Sequence, residues 1–384
     1  MSTRRPDERG FHRLPMLAES KVALETCTYC PKLCRSACPV SNAEPRESLT
    51  PWGKMSSAYH LGRGDIAPDV GVELGFAKVA YACTGCLACK TSCDHKNPVA
   101  DTLMHVRTAV TKAGLAPDSA TRVLSEFSRK ATDATARARA IDPESNGNSP
   151  KVALVVGCGY LRKAEDEARA ALAATRELAG RDVRLVGGCC GLPLLHAGDE
   201  ERFESHLRAF AASLEGFDEV FVVDAGCART LRVESKARGL GSGKIELVIE
   251  RAAKELHALT PLPEAEAIAL GEVRYHDPCQ LARGLGVTEA PRAVLTRMLG
   301  RPPGEMARNR DGGACSGAGG LLPVTHPGIA NEAALARVRE HDREGGGVLV
   351  TACASSLRTF RRNAPEARVD DIVSWVARGV RRGS

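Results

Sequence analysis

Eight cysteines fall in two tight runs, Cys27-x2-Cys30-x3-Cys34-x3-Cys38-Pro39 and Cys83-x2-Cys86-x2-Cys89-x3-Cys93. Thiolates grouped this closely are ligands for soft metals. A four-iron cubane needs four thiolates placed roughly at the corners of a tetrahedron. Three closely spaced cysteines on one loop can wrap three irons, and the fourth iron then takes a ligand from elsewhere.

In two-cluster ferredoxins that fourth ligand comes from the other run. By that logic Cys27, Cys30, Cys34 and Cys93 hold one [4Fe–4S] cluster, and Cys83, Cys86, Cys89 and Cys38 hold a second. The first run has one extra residue before Cys34, and the second has Asp94 in place of the usual Pro, with Pro98 further on. Structural zinc also uses paired cysteines, but as two separated pairs per ion. Two consecutive four-cysteine runs favour iron–sulfur. Lys32, Arg35, Lys90 and Lys96 lie close by and read as solvated surface charge. The alternatives are tuning of cluster potential or steering of an acidic partner.

The elements that must position these runs are helical. Thr50-Pro51 has the form of an N-cap followed by Pro at the first helical position, and Gly62 and Gly64 punctuate the far end. A second helix is expected over Pro98 to Ala113, with no strand between residues 21 and 115. Residues 117 to 150 begin as an Ala/Arg-rich helical stretch. They end in a polar run, Asp142 to Pro150, full of turn formers and suited to a linker.

Beyond it the pattern changes to short apolar runs at Val152–Val156, Val183–Val186, Val220–Val223, Val273–Tyr275 and Val348–Val350. Helical stretches alternate with them, including Lys163–Leu178, Glu201–Leu214, Ala290–Leu299 and Ile329–Arg343. That alternation predicts βαβ units and parallel sheets covered on both faces. The region also repeats. Its cysteines fall at 158, 189 and 227 and again at 279, 315 and 353, at intervals of 31 and 38 and then 36 and 38. Gly188-Cys189-Cys190-Gly191 answers Ala314-Cys315-Ser316-Gly317, and Gly226-Cys227 answers Ala352-Cys353. The chain therefore reads as multidomain α plus α/β, with a helical domain over 21–115, a helical segment and linker over 116–150, and two duplicated α/β domains over 151–265 and 266–384.

Most cysteines of the repeat follow a strand. In a parallel sheet those strand ends converge on the edge where open α/β folds bind ligands. For Cys158, Cys189, Cys190 and Cys227 the convergence favours a metal site over buried structural thiols. Cys279, Cys315 and Cys353 offer only three thiols and leave both readings open, and no strand is visible before Cys315. His276 could serve as a ligand or proton carrier, although His-Asp-Pro is more often a structured turn. His196 and His326 read as loop residues. Asp370 and Asp371 at the start of a C-terminal helix, with Arg378, Arg381 and Arg382 at its end, would complement the helix dipole.

Cys189-Cys190-Gly191, His276-Asp277-Pro278-Cys279, Gly317-Ala318-Gly319-Gly320 and Thr351-Ala352-Cys353 resemble the cysteine-rich CCG domains. Those occur in heterodisulfide reductases and in the iron–sulfur subunits of glycolate oxidase and anaerobic glycerol-3-phosphate dehydrogenase. A helical two-cluster ferredoxin followed by two such domains is similar to the heterodisulfide reductase subunit of that same architecture and to those dehydrogenase subunits. The resemblance spans residues 21 to 384. Its pattern has five cysteines per domain, C…CC…CxxC, which in heterodisulfide reductases hold noncubane clusters. Here Thr230, Ser316 and Ser356 stand at three of those positions, and a hydroxyl is a poor substitute for thiolate at iron. The departure weighs against disulfide cleavage, most of all in the second domain. It leaves one further cubane on Cys158, Cys189, Cys190 and Cys227.

Composition narrows the function. The formal charge of +6 is spread over both signs and aromatics make up only 4% of the 384 residues. A nucleic-acid face with stacking rings is therefore not expected. No apolar run approaches a membrane span and no signal peptide is visible, so the expectation is a cytoplasmic chain, peripheral to the inner face of the membrane where it docks on a partner. In a reducing compartment, fifteen cysteines point to metal or redox work. No G-x-G-x-x-G follows a strand, which places hydride chemistry on another chain. The resemblance implies an iron–sulfur electron-transfer subunit that takes electrons from a flavoprotein dehydrogenase acting on a 2-hydroxy acid or glycerol 3-phosphate. The acceptor would be a quinone, a membrane-anchored partner or another carrier. Thiol–disulfide reduction at the CCG domains is the enzymatic alternative, and a zinc-bound scaffold the non-redox one.

Overall fold

The computed structural model describes residues 10–30, 32, 34–69, 75–143, 150–240 and 245–380. The chain packs as two compact units. One comprises Met1–Phe127, Pro193–Phe203 and Ala314–Ala336, and the other Ser128–Leu192, Glu204–Gly313 and Arg337–Ser384.

The first unit is helical, with Lys21–Thr28, Pro51–Arg63 and Val99–Lys112 as its principal helices. The local signals are obeyed. The Thr50 hydroxyl accepts from Gly53 N at 2.9 Å, Pro51 opens the helix, and Gly64 ends it in the left-handed region at φ 87°. Gly62 lies inside that helix, where a Cβ would come within 2.8 Å of the Phe11 ring. Leu17, Leu24, Met55, Leu61, Tyr81, Leu103 and Val110 are each fully buried in the core beneath these helices. Burial of each contributes roughly 1.5–3 kcal/mol. No strand occurs among the described residues of 21–115.

The second unit carries two parallel sheets. The four-stranded one has the order β2-β1-β3-β4, from β1 (Val152–Val155), β2 (Val183–Leu185), β3 (Glu219–Val222) and β4 (Ile245–Leu247). The three-stranded one has the order β5-β6-β7, from β5 (Val273–His276), β6 (Val348–Thr351) and β7 (Arg368–Asp371). Every residue of β1, β5 and β6 is buried, as expected for strands covered on both faces. The edge strands β4 and β7 were not expected. Asp370 lies in β7 and not in a helix, because the helix begins at Ile372 and Asp371 caps it by accepting from Val373 N at 2.9 Å. Arg378 pairs with Glu266, while Arg381 and Arg382 lie outside the described residues. The Ala/Arg-rich stretch forms the helix Asp118–Ile141, and most of the proposed linker, residues 144–149, is also outside the described residues.

Candidate metal centres

None of the fifteen cysteines is in a disulfide. Two cavities of the first unit are lined by cysteine sets that draw on both runs. Cys27, Cys30, Cys34, Cys89 and Cys93 line one. Cys83, Cys86, Cys89 and Cys38 line the other. Among the described residues, no three His, Cys, Asp or Glu side chains converge on the point that one metal ion would occupy. The thiols surround cavities instead, and four thiols about a cavity are a donor set that fits a cubane cluster.

The first cavity is floored by Asn97, whose Nδ2 donates to Cys27 Sγ at 3.0 Å and to Ala23 O at 2.8 Å. Trp52 forms a wall, held by its indole N–H on Thr28 O at 3.0 Å, with Lys32 Nζ 3.9 Å over its ring. Burial pushes the Cys27 thiol up to about 12, offset in part by Asn97 and reinforced by the neighbouring thiols. Cys34 rises to about 11 for the same leading reason, with Cys93 and Cys30 adding to it. Such thiols ionise when a cation pulls them, so cluster loading must release protons.

The second cavity is more enclosed in charge. Gly85 and Leu87 take left-handed backbone at φ 67° and 64° and turn the Cys83–Cys89 loop around it. Strain of this kind at a non-glycine is worth roughly 1–3 kcal/mol and persists where surroundings hold it. Lys54, buried in the Pro51–Arg63 helix, donates to Cys38 Sγ at 3.6 Å. Arg107, buried in the Val99–Lys112 helix, donates to Cys83 O at 2.7 Å and Ala80 O at 3.0 Å. It also reaches Gly320 O at 2.9 Å and His196 O at 2.8 Å, which ties two distant segments onto the loop. Gly319 and Gly320 press on the same loop. A Cβ there would come within 2.4 Å of Thr84 O and 2.1 Å of Cys83 O respectively. Spacing alone did not single out Asn97, Lys54 or Arg107. The Gly317–Gly320 motif was visible, but its contact with the Cys83 loop was not.

In the second unit the strand ends deliver four more thiols together. Cys158 opens a helix after β1, with Gly157 at φ 96° leaving room beside Cys227 Sγ. Cys189 and Cys190 follow β2, and Cys227 sits in a helix capped by Asp224 after β3. The sulfurs meet in pairs, Cys158 with Cys189 and Cys227 with Cys190, each at 3.5 Å. Hydrogen bonds from Cys189 and Cys227 make Cys190 the thiol that ionises most readily, aided by Leu192 N and the Thr230 hydroxyl. His206 Nε2 is 2.7 Å from Cys189 O. Four sulfurs brought together in two contacting pairs at the strand ends also fit a cluster.

The remaining three cysteines divide between the units. Cys279 and Cys353 belong to the second unit and Cys315 to the first. Burial pushes Cys353 up to about 12, with Asp224 adding to it and Ser356 bonds opposing. His276 is the last residue of β5, buried, with its Nδ1 receiving Arg337 Nε at 3.1 Å, and burial drives its protonation far down. It is therefore a strand residue and not part of a turn. Asp277 is held bidentately by Arg292 at 2.8 and 2.9 Å. His196 lies in the helix Leu192–Ala197. His326 is buried and lowered to about 4, chiefly by burial, with Arg107, Lys54 and Lys78 adding to it.

Residues 23–97 match the family model of the 4Fe-4S dicluster domain, and residues 152–232 and 273–361 each match that of the cysteine-rich domain. These matches and the sheets behind them set the class: an iron–sulfur protein of the oxidoreductases that joins a dicluster ferredoxin to two CCG domains. Within that family the chain is 26% identical to one subunit of the dihydromethanophenazine:CoB–CoM heterodisulfide reductase of Methanosarcina barkeri, covering 94% of this chain and 95% of that one. It is 26% identical to one subunit of the fumarate reductase (CoM/CoB) of Methanothermobacter marburgensis, over 90% of this chain and 70% of the relative. Lactate utilization protein A of Shouchella clausii is 25% identical over 44% of this chain and 72% of its own length.

Proposed function

We propose that this chain is the iron–sulfur electron-transfer subunit of a multi-subunit oxidoreductase. The observation that carries the reading is the pair of thiol-lined cavities, each drawing on both cysteine runs, with Cys89 lining both. Cys27, Cys30, Cys34 and Cys93 would hold one [4Fe–4S] cluster and Cys38, Cys83, Cys86 and Cys89 the other, with Cys158, Cys189, Cys190 and Cys227 holding a third. When bound, such clusters store and release single electrons without taking up protons. The chain's own part is to keep water out with Trp52, Val99 and Leu103 and to fix the thiols through Asn97, Gly85 and Arg107.

The donor would be a flavoprotein dehydrogenase acting on a 2-hydroxy acid or glycerol 3-phosphate, in keeping with the likeness to lactate utilization protein A. The acceptor would be a quinone or another carrier reached from the inner face of the membrane. No helix among the described residues is long and apolar enough to cross a membrane, and a relative named a probable membrane-anchored ferredoxin matches 88% of this chain. Heterodisulfide reduction is the second reading, favoured by likeness along nearly the full length of the Methanosarcina barkeri reductase polypeptide. Thr230, placed against Cys190 where a fifth thiol would stand, weighs against it.

Anaerobic purification tests the proposal. About eight irons or more per chain with matching sulfide and a co-purifying flavoprotein is the expected result. Zinc without sulfide would sink it.

A further inference from the structure

The two cavities of the first unit differ in the charge that faces them. Around Cys27, Cys30, Cys34 and Cys93 the neutral Asn97 amide donates to Cys27 Sγ, and Thr26, Lys32 and His95 also line the cavity. The nearest cation there, Lys32, is 37% exposed and already paired with Glu47 at 3.4 Å. Lys54, at 2% exposure, lines the cavity of Cys38, Cys83, Cys86 and Cys89, and Arg107, at 0%, donates to Cys83 O behind it. Lys54 Nζ points to Cys38 Sγ at 3.6 Å. All four hydrogen bonds of Arg107 end on backbone carbonyls.

Among the described residues neither cation meets a carboxylate. A buried, uncompensated charge is strongly unfavourable, and one lining the pocket with a second bonded to the backbone of Cys83 calls for an anion. Four thiolates around a cubane supply one, since the assembly carries net negative charge and one unit more after accepting an electron. Each cation therefore favours the reduced form of that cluster over the oxidised form.

We propose that Lys54 and Arg107 make the Cys38/Cys83/Cys86/Cys89 site the electron-accepting one of the two, an inference that rests on the cluster assignment above. With clusters bound, Cys27, Cys30, Cys34 and Cys93 would hold the one that is oxidised by one electron, and Cys38, Cys83, Cys86 and Cys89, beside Lys54, would hold the one that is reduced by it. The transfer is of an electron alone. Lys54 and Arg107 are positioning residues that act through the thiolates.

The test is an EPR-monitored redox titration of the anaerobically purified full chain beside Lys54→Met and Lys54→Arg. Lys54→Met should lower the reduced-to-oxidised ratio of one cluster tenfold or more at fixed potential, about 59 mV for one electron. The other cluster should not move, and Lys54→Arg should restore the ratio. Unmoved midpoints, or equal shifts in both clusters, would overturn the proposal. Iron and sulfide assays separate its failure from that of the cluster assignment. A chain without iron overturns both readings, whereas a loaded chain with unmoved midpoints overturns this one alone. If Lys54→Met does not accumulate, Cys38→Ser and Cys34→Ser identify which EPR signal belongs to which site. The signal altered by Cys38→Ser must be the one that reduces first in the unsubstituted chain, and the reverse order sinks the idea.

Discussion

The Thr230 hydroxyl lies against Cys190, the same thiol that Cys227 approaches at 3.5 Å. Thr230 also donates to Gly226 O at 2.8 Å, so it is anchored as part of its helix while facing the thiol cluster. A residue that had lost all connection with the site would be free to point elsewhere. The position keeps its contact and lacks the thiolate, which is consistent with a four-thiol site for one cubane and not with a five-thiol noncubane site.

Cys190→Ser should therefore remove about four irons per chain while leaving those of the dicluster domain in place. Iron and sulfide counts with EPR of the remaining signals check it. An unchanged count and spectrum would show that the four-thiol group of the second unit holds no cluster.

Gly320→Ala should damage the dicluster domain from a position far away in sequence. The added Cβ would fall 2.1 Å from Cys83 O, and the residue already has φ 58°. Backbone cannot yield there without moving the Cys83–Cys89 loop. A loss of more than about 2 kcal/mol is expected, together with part of the iron. Gly300→Ala is the control, since Gly300 has φ 69° but nothing within 4 Å of a Cβ. That variant should lose only about 1 kcal/mol and no iron. Thermal melts with iron assays on both would show whether crowding or backbone strain alone is responsible.

What the sequence made legible was local or chemically constrained. The Thr50–Pro51 start and Gly64 stop need only neighbours a few residues away, and Cys38 and Cys93 each line the cavity of the other run. The central strands announce themselves as unbroken apolar runs. β4 and β7 do not, because charged residues break the apolar run, Glu246 in one and Arg368, Asp370 and Asp371 in the other. Lys54 and Arg107 were hidden for a different reason. Each sits in a helix where a long cation is ordinarily solvated, and their burial is imposed by packing that spacing does not encode. For Arg107 the partners are Gly320 and His196, 213 and 89 residues away.

Asp371 should set a pH dependence of stability. Burial raises its carboxyl to about 7, against the bonds it accepts from Tyr160 OH at 2.6 Å and Val373 N. A carboxyl raised on folding binds its proton more tightly in the native state than in the unfolded one. Its favourable effect is thus present below about pH 4 and is lost as pH rises toward 7. Asp371→Asn keeps an N-capping side chain without the charge. Relative to that variant, the unsubstituted chain should weaken between pH 4 and 7, by about 1.4 kcal/mol for each pH unit of displacement. Anaerobic urea unfolding at pH 5 and pH 8 measures the difference. Parallel behaviour of the two chains would mean that Asp371 ionises normally.

Asp277→Ala isolates the structural role of the His-Asp-Pro segment. Asp277 has 0% side-chain exposure, and Arg292, at 7%, grips both its oxygens. Asp277 also accepts from Arg310 N at 2.8 Å, which fixes the loop leading to Cys315. Removing one partner of a buried ion pair strands the other, at a cost of about 3–5 kcal/mol. The lower end is expected here, because Glu305 still holds Arg292 at 2.6 Å. If the segment is structural, Asp277→Ala lowers the melting temperature while the iron content and EPR spectrum of the folded fraction stay as they were. Loss of iron at unchanged stability would instead place Asp277 beside a metal centre.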